Sequence, residues 1–359
     1  MAGFAAARVT IDLAALADNW RKLAGLAPGS ETSGVLKADA YGLGAIKIAK
    51  ALAKAGCRTF FVACPQEGIA LRKVVADARI FVLGGLSGES ASDFAAHGLI
   101  PVLNHFGDLE IWRAYAALPC ALHFDTGMNR LGFEAGDAAR LSGNRDGVEI
   151  VLVMSHLACG DVRGHAMNQA QLEKFGEIAQ HFPAVKLSLA NSSGVMLGAP
   201  RHFDLTRPGI ALFGGAAMSG EPNLMTPVAS LEARILQIRQ AKKGETVGYN
   251  ATQTLWRNTV IAVAGAGYAD GILRSASGKP GGGGFGWFAG YRVPVLGRIS
   301  MDFTTFDVTD VPSHVLAASQ WVEFFGKNAP LDDFSRACGT ISYEVLTGMG
   351  ARAERIYTG

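Results

Sequence analysis

Eight short apolar runs, each closed by a turn, constrain the fold of this chain more than any other feature. They fall at 34–37, 59–63, 80–83, 100–103, 121–125, 148–155, 186–190 and 203–207. Helix-like stretches at 45–55, 67–75, 108–118 and 168–181 lie between them. Apolar strands alternating with amphipathic helices pair in parallel, with helices covering the sheet. Eight such units predict a (β/α)8 barrel, and a doubly wound open sheet is the alternative the same pattern allows. Ahead of them, 9–11 reads as a strand, and Asp12 as the N-cap of a helix reaching about Ala27.

The pattern changes after Thr226-Pro227. Runs at 229–238, 259–264, 291–295, 304–308 and 320–325 are separated by Gly, Pro and Asp turns with few helical segments. The expected organisation is a cofactor-binding barrel over 11–228 and a mostly β domain over 229–359, with the opening strand 1–10 joining the second. A chain of 359 residues exceeds one ordinary core. The glycine-rich stretch 277–286 lacks a helix-opening phosphate pattern and reads as a flexible surface hairpin. A net charge of +2 without a basic run argues against nucleic acid. Five scattered cysteines, never spaced CxxC, argue against a disulfide scaffold or a structural zinc site. Residues 1–9 carry one arginine and no long apolar core, so they are not expected to act as a signal peptide, and no apolar run reaches the roughly 20 residues of a membrane span. The expected setting is the cytoplasm, with no membrane and no metal.

The chemistry gathers where barrel strands end, which is where barrel enzymes place their sites. Val35-Leu36-Lys37 sets a lysine at the end of a buried run, and Tyr41 follows four residues later. Such an ammonium must find a partner, shift its pKa or become covalently occupied, and Schiff-base chemistry needs a lysine of this kind. A lysine that simply reaches water from a strand end is the plainer reading. His123, Asp125 and Arg130 follow the fifth run, His156 the sixth, Asn191-Ser192-Ser193 the seventh and Arg207-Pro208-Gly209 the eighth. Hydroxyls from Ser192 or Ser193 and N–H groups near Gly209 and Ile210 suit a phosphate dianion. Singly, Ser192 could be a helix cap, Arg207 a surface ion pair and His156 a satisfied strand-end histidine. Together they suggest pyridoxal phosphate held by Lys37.

Nine motifs strengthen that reading: VLKADAYGLG at 35–44, DTGMNRLGF at 125–133, SHLACGD at 155–161, ANSSG at 190–194, RPGIALFG at 207–214, VGYNAT at 247–252, GYADG at 267–271, LGRISMD at 296–302 and TISYEVLTGMGAR at 340–352. Ordered along the whole chain, they resemble bacterial alanine racemase. The resemblance implies a barrel followed by a β domain, and a head-to-tail homodimer with shared active sites. Lys37 would hold pyridoxal 5'-phosphate and act as one catalytic base, and Tyr268 of the partner subunit as the other. Tyr41, Ser192, Gly209, Ile210 and Tyr343 would bind the phosphate, with Asn191 beside them. Arg207 would face the pyridine nitrogen, and His156 would bridge toward Arg207 and the ring. Arg130 and a backbone N–H from Met301 of the partner subunit would bind the substrate carboxylate, with His123 and Asp302 behind them. The reaction implied is interconversion of L-alanine and D-alanine, supplying D-alanine for peptidoglycan or allowing its catabolism.

One departure from the family matters. Many members carry a carbamylated lysine seven residues before the counterpart of Arg130, and here that position is His123. Histidine forms no stable carbamate, so carbamylation is expected to be absent, leaving His123, Asp125 or a bound anion to orient Arg130. His123 as ordinary barrel filling is the plainer alternative. Asn250 in VGYNAT, where glycine is common, is a minor departure at a turn. The competing functions are a broader racemase of serine, lysine or arginine, a barrel-type amino-acid decarboxylase, and a non-catalytic cofactor-binding protein with the same barrel, which would lack the β domain and its tyrosine. Arg207 and the GYADG tyrosine count against the decarboxylase.

Overall fold

The computed structural model describes residues 5–115, 117–143, 147–278 and 283–359. The chain divides into two compact units, one of Leu16–Leu212 with Ala216–Met225 and one of Met1–Ala15, Phe213–Gly215 and Thr226–Gly359.

In the first of these, seven strands pair in parallel and in chain order: Gly34–Val35, Thr59–Val62, Arg79–Val82, Ile100–Leu103, Pro119–His123, Glu149–Met154 and Lys186–Ser188. The eighth run contributes only Leu205–Thr206, paired with Glu31–Thr32. Backbone hydrogen bonds nonetheless carry the circuit round. Arg207 N donates to Ala190 O at 2.8 Å on one side, and Val35 N donates to Pro208 O at 3.1 Å on the other. The sheet is therefore curled and barrel-like. Thr59–Val62 and Ile100–Leu103 are buried at every position, as strands covered on both faces must be. Phe61 and Phe81 stack at 4.8 Å between neighbouring strands. At the opposite end of the strands from Lys37, Glu31 accepts from Thr59, Arg79 and Lys186, which joins three separate strands electrostatically.

The second unit is mostly β. Its opening strand Ala7–Asp12 pairs antiparallel with Ala229–Ala241 and parallel with Glu354–Thr358. The alternating burial of Ala7–Asp12 follows from the two-residue side-chain period. Ala229–Ala241 also pairs with Thr259–Ala264 and Trp321–Phe325, and Thr259–Ala264 with Thr304–Asp307. Asp12 Oδ1 accepts from Ala15 N at 2.9 Å, capping helix Leu13–Leu26.

One stretch departs from the sequence reading. Phe285 and Gly286 are not loop: they begin strand Phe285–Phe288, in register with Pro294 and Val293 of Tyr291–Pro294. Phe285 is buried, and that burial outweighs the glycine signal around it. Residues 279–282 of the expected hairpin lie outside the described residues. Helices Ser313–Ala318, Leu331–Ala337 and Ser342–Thr347 add more helix to this unit than the sequence announces. Among the described residues no helix is long and apolar enough to cross a membrane, and no His, Cys, Asp and Glu cluster could hold a metal ion.

Candidate active site

Lys37 stands two residues beyond its strand and opens a turn of unusual backbone. Ala38, Asp39, Ala40 and Tyr41 all lie in the left-handed region, with φ of 55°, 52°, 54° and 57°. That conformation costs an L-residue about 1–2 kcal/mol each, so neighbouring contacts must hold it. Ala40 N donates to Leu36 O and Gly42 N to Ala38 O, both at 2.8 Å, and Asp39 Oδ1 accepts from Ala45 N at 2.8 Å. The turn carries the Tyr41 ring inward, and it is buried. Its hydroxyl occupies the place a Cβ on residue 209 would take, so a larger residue there would have to displace the tyrosine ring. Gly209 N and Ala211 N both donate to Ser192 Oγ, at 2.9 and 3.3 Å. Ile210 is buried at the head of the one-turn helix Ile210–Phe213. Asn191 caps helix Ser192–Leu197, its Oδ1 accepting from Gly194 N at 2.9 Å. A tyrosine hydroxyl, a serine hydroxyl and a tight glycine backbone thus converge.

Lys37, Arg130 and Arg207 gather their positive charge around His156 in the same unit. Arg207 is only 4 % exposed. Its Nη2 donates to Ser155 O at 2.6 Å and its Nη1 to Ser188 Oγ. Among the described residues no carboxylate pairs with it, and burial pushes its pKa down to about 9. It therefore remains a cation at neutral pH. Burial lowers the Lys37 pKa, Arg130 lowers it further, and Glu67 opposes both. Among the described residues no hydrogen bond or ion pair engages the Lys37 amine. His156 is held well below its ordinary pKa by burial and then by Arg207, Arg130, His123 and Lys37. These five groups feel one another's charge, and the histidines stay neutral.

His123 is buried and its pKa is pushed down to about 4, by burial first and then by Arg207 and Arg130. Its tautomer follows from its neighbour. Asn104 Nδ2 donates to Val102 O at 3.0 Å, which turns Asn104 Oδ1 toward His123 Nδ1 at 2.8 Å. Nδ1 therefore carries the proton and Nε2 is left as an acceptor. Arg130 sits in a loop held by Asp125, whose Oδ1 accepts from Gly127 N and Met128 N at 2.7 and 2.8 Å.

The remaining expected residues lie in the β unit. Tyr268 heads the short turn Tyr268–Asp270 and is 44 % exposed. Tyr268 N donates to Ser300 O at 3.1 Å and Ala269 N to Met301 O at 3.0 Å, lacing the two expected partner-supplied residues together. A Cβ on Gly267 would collide with both carbonyls, so the glycine permits that approach. Arg352 grips Asp270 with two bonds, at 2.9 and 2.8 Å, and Asp302 with a third at 2.8 Å. Met301 is 52 % exposed, and Phe303 and Tyr343 are exposed as well.

Sequence reasoning passed over several supports. Buried Gln171 receives Ala158 N at 2.8 Å and donates to His156 O at 2.9 Å and to Thr126, so it sets the backbone that carries His156. Asn104, Glu67 and Arg352 were likewise unmarked: each acts through a backbone bond or a second side chain, and no local pattern announces that.

A barrel mouth with an unengaged lysine, a buried arginine and a hydroxyl-lined glycine cradle defines an enzyme class that holds an anionic carbonyl cofactor on lysine. The comparisons narrow the class. Residues 11–217 match the family described as alanine racemase, N-terminal domain, and residues 228–357 its C-terminal domain. The chain is 47 % identical to the biosynthetic alanine racemase of Agrobacterium fabrum, covering 98 % of this chain and 93 % of that one. It is 44 % identical to the same organism's catabolic alanine racemase, covering 99 % and 93 %. The crystal structure of alanine racemase from Bartonella henselae with covalently bound pyridoxal phosphate superposes with a TM-score of 0.92 at 38 % identity, covering 99 % of this chain and all of that one. The chain belongs to the alanine racemase family, isomerases with pyridoxal phosphate as cofactor.

Proposed function

We propose that this chain interconverts L- and D-alanine, with Lys37 and Tyr268 of the partner subunit transferring protons on opposite faces of the substrate. The observation that carries the proposal is the unengaged Lys37 amine, on the same turn as the Tyr41 hydroxyl that fills the Cβ place of Gly209. Pyridoxal phosphate fits these residues: an amine for its aldehyde, hydroxyls and a tight glycine backbone for its phosphate, and a buried cation for its ring. When bound, the cofactor withdraws electrons from the α-carbon of an attached amino acid and so acidifies its proton. Lys37 would take or return that proton at Nζ, and burial beside Arg130 favours the neutral amine it needs. A single base reaches only one face, so Tyr268 would serve the other through its phenolic oxygen.

Arg207 would donate to the pyridine nitrogen while keeping its own proton, which leaves that nitrogen unprotonated and restrains competing carbanion chemistry. Neutral His156 would stand between Arg207 and the ring. Tyr41, Ser192, Gly209, Ile210 and Tyr343 would hold the phosphate, with Asn191 shaping the loop. Arg130 and the backbone of Met301 would bind the substrate carboxylate, with His123 and Asp302 as supports. The exposure of Tyr268 and Met301 supports a shared site in a homodimer. We assign 11–228 to the cofactor-binding barrel and 229–359, with the opening residues 1–10, to the β domain, a division supported by the two family matches and by the pairing of Ala7–Asp12 with Ala229–Ala241. Five free thiols support a cytoplasmic setting. Biosynthetic and catabolic relatives match about equally, so either direction of D-alanine use suits this chain.

Mixing two inactive variants tests the scheme. Lys37→Ala and Tyr268→Phe subunits should each fail alone, yet mixed and exchanged in equal amounts they should recover about a quarter of wild-type activity, because half the dimers then hold one intact site. Mixtures as inactive as their components would refute sharing.

A further inference from the structure

We propose that Glu67 is a positioning residue for Lys37: its carboxylate spans the ends of the first two barrel strands and braces the left-handed turn that presents Lys37 and Tyr41 together. The proposal rests on the assignment of Lys37 to the cofactor. Glu67 is the third residue of helix Pro65–Arg72, and its Oε2 accepts from Ala63 N at 2.8 Å. A glutamate at that position of many helices makes a similar backward bond, and capping explains it. Capping does not explain the other oxygen. Oε1 leaves the helix and accepts at 2.6 Å from Ala38 N, 29 residues earlier in the chain. Ala38 directly follows Lys37 and is the first of the four left-handed residues. A charge-assisted bond at the start of such a turn opposes its relaxation to ordinary backbone. The same carboxylate brings negative charge to a lysine otherwise governed by burial and Arg130.

Position and charge separate experimentally. Attachment of pyridoxal phosphate to the apoenzyme reports both: the neutral amine attacks the aldehyde carbon, a C–N bond forms, and the aldehyde oxygen leaves as water with the two amine protons. Rate and affinity are read from absorbance across pH, and the attached residue is identified by borohydride reduction and peptide mass. Glu67→Gln should still attach the cofactor at Lys37, with affinity roughly tenfold weaker. Its rate profile should lie at lower pH than wild type, because losing the carboxylate lets the ammonium deprotonate earlier. Adding Ala38→Gly should recover affinity, since glycine adopts the left-handed conformation freely, and should leave the profile displaced. A Glu67→Gln profile superimposable on wild type would overturn the proposal, because a purely structural cap weakens binding without moving a titration. Should Glu67→Gln not fold, Glu67→Asp should keep the wild-type profile and lose affinity, and a displaced profile there would overturn it equally. Wild-type attachment at any lysine other than Lys37 would instead remove the underlying assignment, and the proposal with it.

Discussion

The barrel unit and the β unit carry their functional groups in opposite ways. In the barrel unit Arg207 is sunk among Ser155 and Ser188 with no carboxylate partner, and no hydrogen bond or ion pair engages the partly buried Lys37 among the described residues. In the β unit, Tyr268 and Met301 are exposed, and the charges that support them, Arg352 with Asp270 and Asp302, are paired. Burying unpaired cations is unfavourable, and such clusters concentrate where an anionic ligand completes them. Exposed aromatic and apolar side chains on a braced turn have the character of a surface that another subunit covers. On the proposed function, one unit would receive a small anion and the other a second subunit.

If that contrast is sound, the most damaging single change should be one in the barrel's cradle. Gly209→Ala puts a methyl group where the Tyr41 hydroxyl lies, so the buried Tyr41 ring would have to leave its place. We expect a loss of about 3 kcal/mol of cofactor affinity, over a hundredfold, with the β unit's fold intact. Equilibrium dialysis with pyridoxal phosphate measures it. A variant binding as tightly as wild type would break the idea that Tyr41 and Gly209 form one pre-shaped cradle.

The barrel could be read from the chain because parallel, doubly covered strands are apolar throughout, as in Thr-Phe-Phe-Val at 59–62 and Ile-Pro-Val-Leu at 100–103. The eighth strand was harder. Only Leu205–Thr206 forms a ladder, and the ring closes through isolated backbone bonds that leave no side-chain pattern. Lys37 was found as a strand-end lysine, but its left-handed turn was not, since Ala-Asp-Ala-Tyr contains nothing that demands positive φ. That conformation is imposed by contacts distant in sequence. The same holds for Asn104, which could not be connected to His123 before the strands were placed side by side.

The next effect concerns His123, whose neutrality is part of the barrel's charge pattern. Its pKa falls from 6.5 to about 4 on folding. Between those values the unfolded chain binds more protons than the native one, so stability declines as pH drops. The contribution is complete above pH 6.5 and is lost progressively toward pH 4. Between pH 7.5 and pH 5 it amounts to about 2 kcal/mol. Urea unfolding at those two pH values, for wild type and His123→Gln, should show a pH-dependent stability that the variant lacks. Equal pH dependence would mean that His123 takes up its proton as readily in the native state as in the unfolded chain, and the barrel would not need its neutral acceptor.

The smallest effect is expected in the β unit, and its size is what sharpens the contrast. Arg352 is half exposed, yet Asp270, which it grips, is buried and also accepts from Gly267 N at 2.9 Å, one residue before Tyr268. Arg352→Ala removes three side-chain bonds but leaves the Gly267 bond and both backbone links to Ser300 and Met301. Exposed ion pairs contribute little because water screens them and their side chains must be ordered. Cofactor affinity should therefore be unchanged, since every barrel contact remains. The turnover number should fall only a few-fold, by a looser Tyr268, and raising the salt concentration, which screens the ion pairs, should narrow the gap between wild type and variant. A loss of cofactor from Arg352→Ala would mean that the β unit holds it through the Arg352 cluster and not through Tyr343 alone, and the division between a ligand-ready unit and a neighbour-ready unit would fail.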